Sequence, residues 1–101
     1  MNQMQQMLMQ AQKIQREMAK ANAALDEKEF KVSKNGMVEL TIKGDNSIQV
    51  LDIDADALDP ENKEMLEEAI KMAFEEALKQ IAEERAEIEE KITGRAGGFG
   101  F

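Results

Sequence analysis

The segment at residues 60–92 constrains the fold more than any other part of this sequence. It contains no glycine and, after Pro60, no proline, and its apolar residues recur at helical spacing. Asp59 before Pro60 is a typical helix start, and Thr93-Gly94 is a typical helix end. One helix over this segment would be about 50 Å long, whereas a compact chain of about 100 residues has a radius of gyration of about 13 Å. The helix must therefore project beyond its own domain.

Two apolar stripes follow this predicted helix. The first contains Leu66, Ile70, Ala73 and Ala77, and the second contains Phe74, Leu78, Ile81, Ile88 and Ile92. A monomer would expose the distal part of these stripes, and large exposed apolar patches usually mark interfaces. Because two-fold dimers are the commonest oligomers, the sequence predicts a homodimer. Its predicted interface consists of Phe74, Leu78, Ile81, Arg85 and Ile88.

Arg85 places a charge in the gap of the second stripe. A charge at a seam position must reach either solvent or a carboxylate. Glu84, Glu89 and an acid of the partner chain are the candidate carboxylates. Polar residues at such positions set the register of coiled coils, so Arg85 is a candidate for setting the register of the dimer.

A shorter helix is predicted at the N-terminal end. Apolar residues recur there in alternating steps of three and four, at Met4, Met7, Ala11, Ile14, Met18, Ala21 and Leu25. This seam is narrow and uses flexible methionine and small alanine instead of leucine. We therefore expect a helix that packs against partners without forming a strong zipper alone.

Two alternating runs after this helix predict a hairpin around Asn35-Gly36. A two-residue turn there would place Val32 opposite Glu39, with the apolar residues of the two strands on opposite faces. A three-residue loop, Lys34-Asn35-Gly36, removes this conflict. It pairs Val32 with Val38 and Phe30 with Leu40, and it requires Gly36 in the left-handed conformation.

A third strand is predicted over residues 47–54, and it is apolar on both sides. In regular alternation, Ile48 and Val50 share one face while Leu51 and Ile53 share the other. Two explanations remain open. Either a bulge near Val50 resets the alternation, or the strand is buried on both faces, as a strand inside a dimer would be.

The predicted fold is therefore α+β, in the order helix, three-stranded antiparallel sheet, long C-terminal helix. We expect a single domain over residues 1–94, because no linker-like stretch interrupts it. Residues 95–101 form a glycine-rich tail with two phenylalanines, and we expect this tail to be flexible.

The composition argues against an enzyme. The chain has no histidine, cysteine, tyrosine or tryptophan, which leaves no Ser-His or Cys-His nucleophile pair. Asp52, Asp54 and Asp56 imitate the start of a calcium loop, but Ala57 stands where glycine is needed and Lys63 where glutamate is needed. We therefore expect no catalytic residues, metal, cofactor or small-molecule substrate.

The same composition suggests a cytoplasmic protein. The absence of cysteine fits a reducing compartment. The N-terminal residues lack the basic start and apolar core of a signal peptide, and no apolar run approaches membrane-spanning length. We therefore expect no membrane partner.

Charge is unevenly distributed along the chain. The net charge is -8 overall, but residues 1–25 sum to +2, residues 26–54 to -3, and residues 55–101 to -7. Lys13, Arg16 and Lys20 stand in line on the first helix, where they could grip phosphates, although three solvated cations on a helix are common. Lys91 and Arg95 form a weaker candidate spot, because cations also favour the end of a helix electrostatically.

Four segments resemble the YbaB/EbfC family of bacterial nucleoid-associated proteins. They are QMLMQAQKIQREMAKA in the first helix, GMVELTIKG with SIQVLDID in the sheet, LDPENKEMLEEAIKMAFEEALKQ in the long helix, and the TGRAGGFGF tail. The resemblance implies a tweezers-shaped homodimer whose helices project from a central sheet. It further implies that the protein binds double-stranded DNA and organises the nucleoid. Glu75, where the family often has Asn, and a tail without the usual proline depart from the family pattern.

A second functional class remains open. Projecting helices with methionine and phenylalanine contacts could grip other polypeptides, as in a prefoldin-like or adaptor protein. The first helix here is shorter than prefoldin-type helices, which favours the DNA-binding hypothesis.

Overall fold

The computed structural model describes residues 2–96, with side chains described through Gly94. Its elements are α1 (Gln3–Glu27), β1 (Glu29–Lys34), β2 (Val38–Lys43), β3 (Ile48–Ile53), two 3₁₀ segments (Ala55–Leu58 and Pro60–Asn62) and α2 (Lys63–Ala96). The predicted α-β-β-β-α order is confirmed. The end of the predicted tail, residues 97–101, lies outside the described residues.

Both helix starts are capped by side chains. At α1, Gln5 N–H donates to Asn2 Oδ1 at 2.7 Å, and the Gln5 side chain accepts from the Asn2 N–H, which completes a capping box. Before α2, Glu61 N–H donates to Asp59 Oδ1 at 2.9 Å, as predicted for an N-cap. The three residues from Pro60 form a 3₁₀ segment, so the α-helix proper begins at Lys63.

The C-terminal end of α2 differs from the prediction. The helix continues through Thr93-Gly94 to Ala96. A glycine inside a helix costs about 1 kcal/mol, which an otherwise favourable helix tolerates. The Thr93 hydroxyl donates to the Glu89 carbonyl at 2.5 Å, one turn back along the helix. A glycine without a following proline was therefore an unreliable stop signal here.

The sheet is antiparallel in the order β1-β2-β3. The β1–β2 hairpin places its apolar side chains on one face, as predicted, but its loop consists of different residues. Val32 pairs with Leu40 and Phe30 with Ile42, which corrects both predicted partners. Asn35 and Gly36 have φ values of 54° and 66°, as the centre of a type I′ turn requires, and Met37 N–H donates to the Lys34 carbonyl at 2.9 Å. The loop is thus 35–37, with Met37 as the extra residue.

A bulge in β3 resolves the choice left open for that strand. Val50 pairs with Thr41, but Ile48 pairs with Ile42, so Gln49 is the extra residue. Residues directly opposite in a ladder share a face, so Ile48 lies on the same face as Leu51 and Ile53. The strand is not buried on both faces in the single chain, because Ile48, Val50 and Leu51 are 54%, 46% and 45% exposed.

One face of α2 covers β1 and β2 and leaves β3 uncovered. The residues of α2 in this face are Ala69, Ala73 and Ala77, all 0% exposed, followed by Ile81. Small side chains let the helix backbone approach the sheet closely, where it meets Phe30, Val32, Val38, Leu40 and Ile42. The buried line of α2 therefore combines residues of both predicted stripes, because Ala73 and Ala77 come from the first stripe and Ile81 comes from the second.

The helices α1 and α2 pack antiparallel. Asn22 on α1 contacts Arg85 on α2, and Lys28 just after α1 pairs with Glu84. The molecule is 71 Å long with a radius of gyration of 20.1 Å, which confirms that its helices project from the sheet. At 1.5 Å per residue, the first two turns of α1 reach beyond Ala96, the last residue of α2.

Candidate nucleic-acid interface

Lys13, Arg16 and Lys20 form an exposed stripe on α1. At 3.6 residues per turn, they fall within an arc of about 60° and extend about 10 Å along the helix. Their side chains are exposed, whereas Ile14 and Met18 are half-buried on the side of α1 that faces α2. The stripe therefore points away from the body of the molecule, where a large ligand can reach all three cations.

The three cations of the stripe lack the salt bridges that most other cations among residues 2–94 form. Most other cations of the described chain pair with acids, in the salt bridges Lys28–Glu84, Lys34–Glu76, Lys43–Glu27, Lys63–Glu67, Lys79–Glu83 and Arg85–Asp26. Among residues 2–94, no salt bridge within 4.0 Å is found for Lys13, Arg16 or Lys20. Glu17 is the one acid within residues 1–25, so this part of α1 keeps a net charge of +2.

The second predicted cationic spot has different surroundings. Lys91 is exposed and lines a shallow depression together with Glu87 and Glu90. The Arg95 side chain lies outside the described residues. Arg85 contacts Asn22, and the two helices are antiparallel. Lys91, six residues after Arg85, therefore lies at the same height as Arg16, six residues before Asn22. The fold thus brings Lys91 to the level of the stripe, but next to two carboxylates.

The predicted dimer-interface residues mostly contact their own chain. Ile81 is 5% exposed in the core, and Phe74 and Ile88 are half-buried against it. Arg85 donates to Asp26 and Asn22 of α1, and this finding corrects the expected partners Glu84 and Glu89. A contact with an acid of another chain stays a prediction. Leu78 is 44% exposed. An interface role for these five residues stays a prediction.

Two apolar surfaces remain exposed in the single chain. One is the edge strand β3, where Ile48 and Leu51 lie on the core-side face but beyond the cover of α2. The other is the tip of α1, where Met4, Met7 and Leu8 are 78%, 67% and 60% exposed. The apolar run of β3 was a usable signal, because an apolar edge strand rarely lacks a covering partner.

The described residues 2–96 include neither a candidate metal site nor a membrane-spanning helix. Within residues 2–96, no group of three or more acidic, histidine or cysteine side chains is arranged to hold a metal ion. Asp54 instead caps a 3₁₀ segment through the Asp56 N–H. None of the described helices is long and apolar enough to span a bilayer.

One carboxylate has a clearly shifted pKa. In the β2–β3 turn, the hydroxyl of Ser47 donates to Asp45, and the Ser47 N–H does so at 2.9 Å. These hydrogen bonds lower the pKa of Asp45 below its ordinary value. They stabilise the turn beside the base of α1, on the opposite end of that helix from its exposed tip.

The fold and the stripe together define a class of small α+β proteins with two helices projecting from a three-stranded sheet. The YbaB/EbfC DNA-binding family matches this chain over residues 1–96, and the chain belongs to that family.

Its relatives include nucleoid-associated proteins from other bacteria. The protein of Enterococcus faecalis is 42% identical over 100 residues, covering 98% of this chain and 96% of the relative. That of Malacoplasma penetrans is 40% identical over 96 residues, covering 95% and 98%. An uncharacterized Helicobacter pylori protein, HP0035, shares the fold with a TM-score of 0.75 at 19% identity, covering 92% of this chain and 98% of the other.

Proposed function

We propose that this protein binds double-stranded DNA as a homodimer, mainly through phosphate contacts from α1, and helps to organise the nucleoid. The observation that carries the proposal is the unpaired stripe of Lys13, Arg16 and Lys20 on a chain of net charge -8. A local basic surface acts on a nearby polyanion because screening limits distant charges to about 8 Å at physiological salt. The names of the relatives support a nucleoid location, hence the cytoplasm.

The proposed binding carries little sequence information. Phosphate contacts position a protein on a duplex, whereas base contacts in the grooves specify sequence. Lysine and arginine on an exposed helix face suffice for the first role. The proposal involves no catalytic residue, cofactor or small-molecule substrate.

The salt dependence of DNA affinity tests this proposal. Two copies of the stripe offer at most about six cations, so the logarithm of affinity should fall with the logarithm of salt concentration at a slope no steeper than about -5. Replacing Lys13, Arg16 and Lys20 by Gln should flatten that slope and weaken binding to a random duplex. The measurement is fluorescence anisotropy at several salt concentrations.

The matched control removes the same charge from α2. Lys63, Lys71 and Lys79 are exposed on that helix, and their replacement by Gln should leave the slope nearly unchanged. Both triple variants should keep the melting temperature, because exposed substitutions usually change stability by less than about 0.5 kcal/mol. If the α1 variant binds as well as the parent chain, the contacts lie elsewhere, and Lys91 and Arg95 are tested next.

A second function is favoured by a different observation. The exposed tip of α1, with Met4, Met7 and Leu8, could instead hold an unfolded polypeptide. A mobility shift with random duplex, with and without a competing unfolded protein, separates the two functions. Loss of the DNA shift on adding the competitor would favour the polypeptide-binding function.

A further inference from the structure

Arg85 joins three elements at the base of α1. Its Nη1 donates to Asn22 Oδ1 at 2.8 Å, and its Nη2 donates to Asp26 Oδ1 at 2.9 Å and to the Gly44 carbonyl at 3.1 Å. Asn22 and Asp26 lie on successive turns of α1, and Gly44 begins the β2–β3 turn. One guanidinium therefore connects α2 to both α1 and the sheet.

The backbone is closely packed at the same place. Gly44 is buried, and a Cβ atom on it would lie 1.9 Å from the Leu25 carbonyl oxygen. The Gly44 N–H donates to the Lys28 carbonyl at 3.0 Å, and the Asp45 N–H donates to the Asp26 carbonyl at 3.3 Å. These contacts fix the C-terminal end of α1, so the helix can change its direction chiefly by pivoting about this end.

Beyond Arg85 and the buried Leu25, the residues of α1 toward its tip specify direction weakly. Ile14, Met18 and Ala21 are only half-buried, and the residues before Ile14 are exposed. Methionine adapts to many packings, and alanine contributes little area. A planar guanidinium with acceptors at fixed positions is more selective, because its hydrogen bonds require one arrangement of the two helices.

We propose that Arg85 is a positioning residue for DNA binding, which sets the direction and rotation of α1 without touching DNA. Asn22 and Asp26 lie roughly 110–150° around α1 from the middle of the stripe, so Arg85 is on the opposite side. Lys13 lies nine residues from Asn22, so a tilt of about 10° at Arg85 moves it about 2 Å. The inference rests on the proposed DNA-binding function of the stripe.

Charge-changing variants separate positioning from direct contact by the sign of their effects. Arg85→Gln should weaken binding to a random duplex about fivefold, if α1 then keeps the competent arrangement about a fifth of the time. Asp26→Asn should also weaken binding. Electrostatics alone predicts the reverse, because this substitution removes a negative charge from an acidic chain. The double variant should bind no more weakly than Arg85→Gln, because both changes break the same contact.

The salt slope gives a second distinction. Arg85→Gln should leave the slope unchanged, whereas loss of a phosphate contact in each of two copies would flatten it by about 1.8. Lys79→Gln, which removes the same charge from an exposed ion pair on α2, is the matched control and should change affinity less than about twofold. Arg85→Lys should bind at an intermediate level, and it serves with Asp26→Asn if Arg85→Gln fails to fold.

Helix direction can be measured without DNA. The chain has no cysteine, so Gln10→Cys and Glu87→Cys accept one spin-label pair across α1 and α2. Double electron–electron resonance, with labelled chain diluted in unlabelled chain, should give a broader distance distribution for Arg85→Gln. An unchanged distribution, additive losses of affinity, or tighter binding by Asp26→Asn would overturn the proposal. If the parent chain binds no duplex, the proposed function fails, while the distances still decide whether Arg85 orients α1.

Discussion

At the scale of single residues, two glycines hold the turns of the sheet for different reasons. Gly36 has a φ of 66° and has open space where a Cβ would lie. Gly44 has a backbone that any residue can adopt but lies directly against the Leu25 carbonyl. Only the first requirement can be inferred from a turn motif, because the second arises when α1 folds onto the β2–β3 turn.

The two glycines predict that the smaller substitution, Gly44→Ala, destabilises the fold more than Gly36→Val. Gly36→Val should lower stability by about 1–2 kcal/mol, the cost of a left-handed conformation for a residue with a Cβ. Gly44→Ala should cost more, about 3 kcal/mol or beyond, because the end of α1 must move. Thermal unfolding followed by circular dichroism measures both. A lower melting temperature for Gly36→Val than for Gly44→Ala would contradict this account.

At the scale of elements, local patterns determined most of what could be predicted. The order of helices and strands, the cap at Asp59 and the left-handed Gly36 follow from neighbouring residues, and the structure confirms them. The predicted hairpin partners were wrong because the loop lies one residue later, at 35–37 instead of 34–36. Both loops contain three residues, so both place the same side chains on the core face. An odd or even number of loop residues determines which side chains of the two strands share a face of the sheet. The exact cross-strand partners depend on which residues form the turn.

Long-range contacts account for the rest. The partners of Arg85 lie 63, 59 and 41 residues away in sequence, so no local pattern indicates them. The cationic stripe could be located from spacing alone, but its lack of acid partners depends on the packing of the whole chain. Whether the stripe contacts DNA remains a prediction.

Two residues one turn apart on α2 should respond differently to replacement by aspartate. Ile81→Asp should unfold the chain, because Ile81 is 5% exposed and an unpaired carboxylate in a core is strongly disfavoured. Leu78→Asp should leave the fold intact, since Leu78 is 44% exposed, and should weaken self-association if Leu78 belongs to the interface. Circular dichroism and light scattering at micromolar concentration distinguish unfolding from dissociation. A folded Ile81→Asp variant would mean that the core was wrongly assigned.

At the scale of the whole molecule, the uncovered face of β3 is the strongest argument for a second copy. Ile48 and Leu51 extend the core-side face beyond the cover of α2, and β3 pairs with β2 alone in the described sheet. A single chain therefore presents both an apolar surface and the unpaired backbone groups of a strand edge, and monomeric proteins usually avoid this combination.

Light scattering should accordingly give twice the chain mass of 11.4 kDa at micromolar concentration. Leu51→Asp should shift the protein toward the monomer, because it places a charge on the proposed interface. Leu58→Asp provides the matched control, since Leu58 is 63% exposed outside β3, and it should leave the mass unchanged. A parent chain that is cleanly monomeric would refute the dimer, and equal effects of the two variants would place the interface away from β3.

The pairing of cations with acids over most of the chain also affects how the protein would meet a duplex. Because residues 1–25 sum to +2 while residues 55–101 sum to -7, the molecule carries a permanent electric dipole. In the field of a polyanion such a dipole experiences a torque, which turns α1 toward the duplex and the acidic helix away before contact. Fewer encounters would then begin in an unproductive orientation. The advantage in association rate would diminish as added salt shortens the range of the field.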